Sequence, residues 1–148
     1  MVPKSILFVC LGNICRSPLA EGIAKQIANR RGLDIEIDSC GTGTWHVGEA
    51  PCDDAIRVAK ENGLDIASQR ARQINSDDIE KFDLIVVLDD KNQSDVIAMG
   101  AKNVVKLGFY GYNNEDVTDP FFFPGYEGFD KVYSIIEECV VNLLDENS

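Results

Sequence analysis

Histidine occurs once in this chain, at His46, and tryptophan once, at Trp45. The five cysteines, Cys10, Cys15, Cys40, Cys52 and Cys139, are odd in number and include no CxxC pair. That argues against a disulfide scaffold or structural zinc site and fits a reducing compartment. Basic residues are scarce: 14 Lys and Arg face 25 Asp and Glu, a net charge of -11. A field of that sign repels nucleic acid and anionic membrane surfaces, so neither is an expected partner, and a bound anion must be held by local geometry. No apolar run approaches the roughly 20 residues of a membrane-spanning helix, and the N-terminal run is shorter than a signal-peptide core. A soluble cytoplasmic protein is expected. There is no linker, internal repeat or low-complexity tract, and 148 residues with 45% hydrophobic content suit one domain, 1–148.

What is present is organised around Ile6 to Pro18, Ile-Leu-Phe-Val-Cys-Leu-Gly-Asn-Ile-Cys-Arg-Ser-Pro. Ile6 to Cys10 lacks polar alternation and predicts a strand buried on both faces, as in a parallel sheet covered by helices. Ser17 and Pro18 suit the N-cap and first position of a helix. Leu19, Ile23 and Ile27 continue it at helical spacing, and Arg30-Arg31-Gly32 provides cations and a glycine at its end. Asp34 to Asp38 alternates and predicts an edge strand. Next come a glycine-rich loop with Trp45 and His46, helices over 53–62 and 76–81, a buried strand over 83–88 ending at Asp89 and Asp90, a helix through Val96 to Met99 and a short strand over 103–106. Gly108 to Gly125 is irregular and aromatic, a pattern more often functional than idle in a compact domain. The stripe Val132, Ile135, Ile136, Cys139, Val140, Leu143, Leu144 predicts a terminal helix with an apolar core face.

Repeated βα units imply an α/β fold with a parallel sheet and right-handed crossovers. Ligands in such sheets lie at the carboxyl ends of strands, which puts the Cys10 loop and Asp89 on one rim. Inward-pointing backbone N–H groups and a helix N-terminus make an anion nest there, a setting that favours a nucleophilic cysteine. Arg16, separated from Cys10 by five residues, has the planar fork to clamp two phosphate oxygens. A strand-end cysteine is ordinarily a packing residue, but cysteine, five residues, Arg-Ser-Pro and a helix start form a far more specific pattern.

The stretch Val-Cys-Leu-Gly-Asn-Ile-Cys-Arg-Ser-Pro resembles the active-site loop of the low-molecular-weight protein tyrosine phosphatases. The likeness extends through Asp38-Ser-Cys-Gly-Thr, Trp45, the Asp89 segment and Asp119-Pro120. It implies a three-layer α/β sandwich with a four-stranded parallel sheet, order 2-1-3-4, flanked by helices, with a phosphocysteine intermediate and neither metal nor cofactor. By the same resemblance Cys10 attacks phosphorus and Arg16 binds the phosphoryl group. Leu11, Gly12, Asn13, Ile14, Cys15, Arg16 and Ser17 bind inorganic phosphate or a similar oxyanion. Ser17 also eases the departure of the thiolate, Asn13 and Ser39 support the loop, and Asp119 is the general acid and base. Trp45, Phe121 and Phe122 would wall a phosphotyrosine slot, with at least one of Phe121 to Phe123 in the core. Phenylalanines also stand where many relatives have tyrosines, which removes phosphorylatable hydroxyls. Cys15 either pairs reversibly with Cys10 or fills the loop. Asp89 either orients Arg16 or caps a helix, Gln69 stands where some animal members have His, and His46 is read as surface or loop packing rather than catalytic.

The expected partners are phosphotyrosine-containing proteins. Three other readings are set against this one. A thiol-dependent arsenate reductase would need relay cysteines after the third strand, and Leu88 to Ser94 contains none. A silent phosphoresidue-binding module would be expected to lose Cys10 or Asp119. A protein-arginine phosphatase would favour Thr at Ile14.

Overall fold

The computed structural model describes residues 3–118 and 127–146. In chain order they form β1 (Ser5–Cys10), α1 (Arg16–Arg31), β2 (Glu36–Gly41), α2 (Asp53–Glu61), α3 (Ser76–Lys81), β3 (Leu84–Val87), α4 (Asp90–Ala98), β4 (Val104–Lys106), a 3-10 turn (Leu107–Tyr110) and α5 (Glu127–Glu146). The four strands are parallel in the order β2-β1-β3-β4, the topology that the resemblance implies.

The missing alternation in β1 has a direct cause. Ile6, Phe8 and Cys10 pack into a core shared with α1, α2 and α5, whereas Leu7 and Val9 pack on the opposite face with Phe82, Ile85, Val87 and Val96. Both faces of the strand are dry, so a polar residue on either would need a buried partner. β2 lies at one edge of the sheet, as its alternation predicts, but starts two residues and ends three residues later than Asp34–Asp38, because Ser5 to Cys10 pair with Glu36 to Gly41. Among the described residues of the irregular segment, Gly108 to Tyr110 belong to the 3-10 turn, and α5 starts earlier than its apolar stripe. Among the described residues no helix is long and apolar enough to cross a membrane.

Helix α1 departs from its predicted start. Its N-cap is Cys15, not Ser17, and no side chain caps it. The Ser17 hydroxyl is turned into the preceding loop, where it serves Cys10 and Asn13 instead. The predicted end holds: Gly32 adopts φ 67 and its N–H reaches the carbonyls of Ala28 and Asn29, with Arg30 and Arg31 in the last turn.

Candidate active site

Residues 11–15 connect the carboxyl end of β1 to α1 and are folded back against the end of β2. Thr42 N–H donates to the Cys10 carbonyl at 3.0 Å and Gly43 N–H to the Leu11 carbonyl at 2.9 Å. Gly41 makes this approach possible, since a Cβ there would meet Leu11 O at 2.6 Å. Asn13 takes the left-handed conformation at φ 57, which asparagine tolerates better than most residues.

Cys10 is 3% exposed; its sulfur accepts the Asn13 N–H at 3.2 Å and lies 2.9 Å from Ser17 Oγ. Around it runs a buried chain of hydrogen bonds. Asn13 Nδ2 donates to Ser17 Oγ at 2.7 Å and to Ser39 Oγ at 2.9 Å, while Asn13 Oδ1 accepts Arg72 N–H at 3.1 Å. Ser39 Oγ donates in turn to Glu21 at 2.6 Å, and Lys25 balances that carboxylate at 2.7 Å. The chain fixes the left-handed residue from both ends of its amide, so the loop is shaped before any ligand arrives.

Arg16, 5% exposed, is held by the neighbouring strand end. Its Nη1 donates to Asp89 Oδ2 at 2.8 Å and to the Val117 carbonyl at 2.9 Å. The other oxygen, Asp89 Oδ1, accepts Asn92 N–H at 2.7 Å and caps α4. Both of the roles open to Asp89 are therefore filled at once. The juxtaposition follows from the sheet order: β1 pairs β3 with Val9 opposite Val87, and Leu88 N–H bonds the Val9 carbonyl.

The pocket above Cys10 is lined by Leu11, Gly12, Ile14, Cys15, Arg16, Trp45 and His46. Trp45 is 70% exposed, with its ring over Gly43, and forms part of the pocket lip. His46 lines the same pocket and pairs with Glu49 at 3.0 Å. Asn13 and Ser17 direct their side chains into the supporting network. Gln69 donates to the Pro18 carbonyl at 3.1 Å, in the first turn of α1. Asp119, Phe121, Phe122 and Phe123 lie outside the described residues.

Sequence reasoning missed several contacts around this loop. Glu21 reads as a surface helix acid with Lys25 four residues on, and its burial depends on β2. Arg72 shapes Asn13 through a backbone N–H, which carries no residue signature, while its side chain grips Asp38 and Asp78. Cys52 stands 2.7 Å from Cys15, sulfur to sulfur, although 37 positions separate them.

Residues 5–147 match the family model described as low molecular weight phosphotyrosine protein phosphatase. A low molecular weight protein-tyrosine-phosphatase, YfkJ of Bacillus subtilis, is 37% identical over 83% of this chain and 84% of its own length. Among solved structures, a protein tyrosine phosphatase from Entamoeba histolytica with Hepes in the active site superposes with a TM-score of 0.89 at 30% identity, covering 97% of this chain and 96% of that one. A Drosophila arginine phosphatase superposes equally well, TM-score 0.89 at 32% identity, covering 99% and 97%. Together with the Cys10 loop on its parallel sheet, these matches show that the chain belongs to the low molecular weight phosphotyrosine protein phosphatase family and is by that membership a phosphatase.

Proposed function

We propose that the chain hydrolyses phosphotyrosine in proteins, and aryl phosphates generally, through a phosphocysteine formed on Cys10. The observation that carries this reading is the setting of the Cys10 sulfur, which accepts Asn13 N–H and faces Ser17 Oγ at the base of a pocket that also contains Arg16. An N–H donor and a hydroxyl able to donate on the same sulfur suit a nucleophile that attacks phosphorus and must later leave it. As the S–P bond forms and the P–O bond breaks, charge spreads over the phosphoryl oxygens, where Arg16 and the loop N–H groups stabilise it. A phenolate leaving group has a conjugate-acid pKa of about 10, so its protonation matters. Asp119 gives that proton, an effect of roughly 10² to 10⁴-fold. The resulting carboxylate then takes a proton from the water that cleaves the S–P bond, releasing inorganic phosphate, and Ser17 donates to the departing sulfur.

Specificity for the aryl group is supported by Ile14 and Trp45, which give the pocket apolar surface suited to a ring. A phosphoarginine side chain would bring a guanidinium group against those same carbons. The equal likeness to an arginine phosphatase keeps that substrate as the competing reading, decided by comparing phosphotyrosine and phosphoarginine versions of one peptide. A preference for phosphoarginine would overturn the aryl assignment.

The mechanism is tested with p-nitrophenyl phosphate and pure, metal-free, reduced protein. Cys10→Ser is expected to abolish turnover, and an unchanged rate would sink the mechanism. Asp119→Asn is expected to slow poor leaving groups far more than activated ones, whereas equal slowing would remove Asp119 as the acid.

A further inference from the structure

Cys15 closes the phosphate loop at the N-cap of α1, and Cys52 stands at the N-cap of α2. Their sulfurs are 2.7 Å apart, and their backbones are pinned together beside that contact, because Cys52 N–H donates to the Ile14 carbonyl at 2.8 Å. A small side-chain adjustment brings the sulfurs to the disulfide bond length of about 2.05 Å. Cys15 is 6% exposed, whereas Cys52 is half-buried and open to a small oxidant. We propose that Cys15 and Cys52 are a reversible disulfide pair, a redox site joining the phosphate loop to the end of the Trp45 loop, whose closure leaves Cys10 a thiol.

Of the remaining cysteines, Cys40 and Cys139 are poorly suited to the reaction. Burial pushes the Cys40 thiol far up and the Cys139 thiol up to about 11, so little thiolate forms at either. The hydrogen bond with Cys15, opposed by burial and aided by Ala55 N–H, moves Cys52 the other way, below the usual thiol range. The oxidant is a peroxide. The Cys52 thiolate attacks one peroxide oxygen, forming an S–O bond as the O–O bond breaks and hydroxide leaves to become water. Cys15 sulfur then attacks Cys52 sulfur, forming the S–S bond while the S–O bond breaks and the oxygen departs as a second water with the Cys15 proton. Two thiols have lost two electrons and two hydrogens to one peroxide. A dithiol reverses this by thiol–disulfide exchange. In a reducing compartment such a bond is transient, and while it lasts Cys15 is unavailable to Cys10.

That Cys10 is the nucleophile being spared rests on the proposed function, but the cross-link does not. The test exposes reduced protein to limiting hydrogen peroxide with inorganic phosphate present, then alkylates it in denaturant and maps the peptides. Wild type is expected to lose two alkylatable thiols and about 2 Da, the two hydrogens removed. Cys15 and Cys52 peptides should be joined, Cys10 alkylated, and both thiols restored by dithiothreitol. Cys52→Ser and Cys52→Ala should lose the cross-link while hydrolysing p-nitrophenyl phosphate at the wild-type rate when reduced. Recovery of Cys15 joined to Cys10, or of both Cys15 and Cys52 alkylated in the treated wild type, overturns the proposal. A mapped Cys15–Cys52 cross-link in protein that hydrolyses nothing, reduced or oxidised, would instead remove the phosphatase reading and leave this one standing.

Discussion

Asp89 divides its two oxygens between stability and the phosphate site. Oδ1 caps α4 through Asn92 N–H, and Oδ2 holds Arg16. Asp89→Ser should keep the cap, because a hydroxyl also serves at that position, but it is too short to reach the guanidinium. Its urea midpoint is expected to stay near wild type while kcat/KM for p-nitrophenyl phosphate falls roughly 10 to 100-fold, the worth of a hydrogen bond to a charged group. Asp89→Ala should lose the same activity and also about 1 kcal/mol of stability. If Asp89→Ser kept full activity, Asp89 would not be what positions Arg16. The sequence offered both roles for this residue because each depends only on its place at a strand end before a helix. Cys52 and Glu21 were not legible in the same way. Their partners, Cys15 and Ser39, become neighbours only after the strands have taken their order.

Among the elements, the link from β4 to the segment before Asp119 carries the least expected contact. Lys106, the last residue of β4, is buried, and its Nζ donates to Asp90 at 2.8 Å and Asp116 at 2.9 Å. Burial opposes its charge, but the two carboxylates prevail and hold its pKa above the ordinary lysine value. Asp116 Oδ1 also accepts Asp90 N–H at 3.0 Å, so β4, α4 and this segment are clasped together. One residue further on, Val117 N–H bonds the Leu88 carbonyl and the Val117 carbonyl accepts from Arg16. Lys106→Met should therefore reduce kcat more than it reduces stability, because Asp90 and Asp116 remain solvated once unpaired and cost only about 1 kcal/mol. Lys106→Arg, which keeps the charge, should restore much of the rate. A rate that tracked only the loss of stability in both variants would make the clasp purely structural. Element types were readable from the apolar pattern, a continuous run in β1 and a helical stripe in α5. The start of α1 was not, since Ser17 has the chemistry of a cap and is used for the sulfur instead.

The whole molecule adds what no segment determines alone. Alternating βα units dictate a parallel sheet, but the order β2-β1-β3-β4 was available only through family resemblance, because nothing within a strand names its neighbour. The closed core also holds protons that the unfolded chain would release. Burial, with Glu137 nearby and Arg30 opposing, pushes the Tyr133 phenol from 10.0 up to about 12, and burial with Glu138 pushes the Cys139 thiol from 9.0 up to about 11. Cys40 is shifted in the same direction by burial. Each group is neutral when protonated, and each pKa is higher folded than unfolded. Above about pH 9 the unfolded chain therefore binds fewer protons than the folded one, and stability falls as pH rises. The contribution is complete below the unfolded values and is lost as pH climbs through the folded ones. Urea midpoints measured from pH 8 to 11 under reducing conditions should decline steadily above pH 9. Cys139→Val, which keeps apolar volume in α5 but has no proton to lose, should show a shallower decline across pH 9 to 11. If the two profiles were parallel, Cys139 would not be among the groups that set the alkaline limit, and the decline would fall to the other groups the fold holds protonated, Tyr133, Cys40 and Lys106 among them.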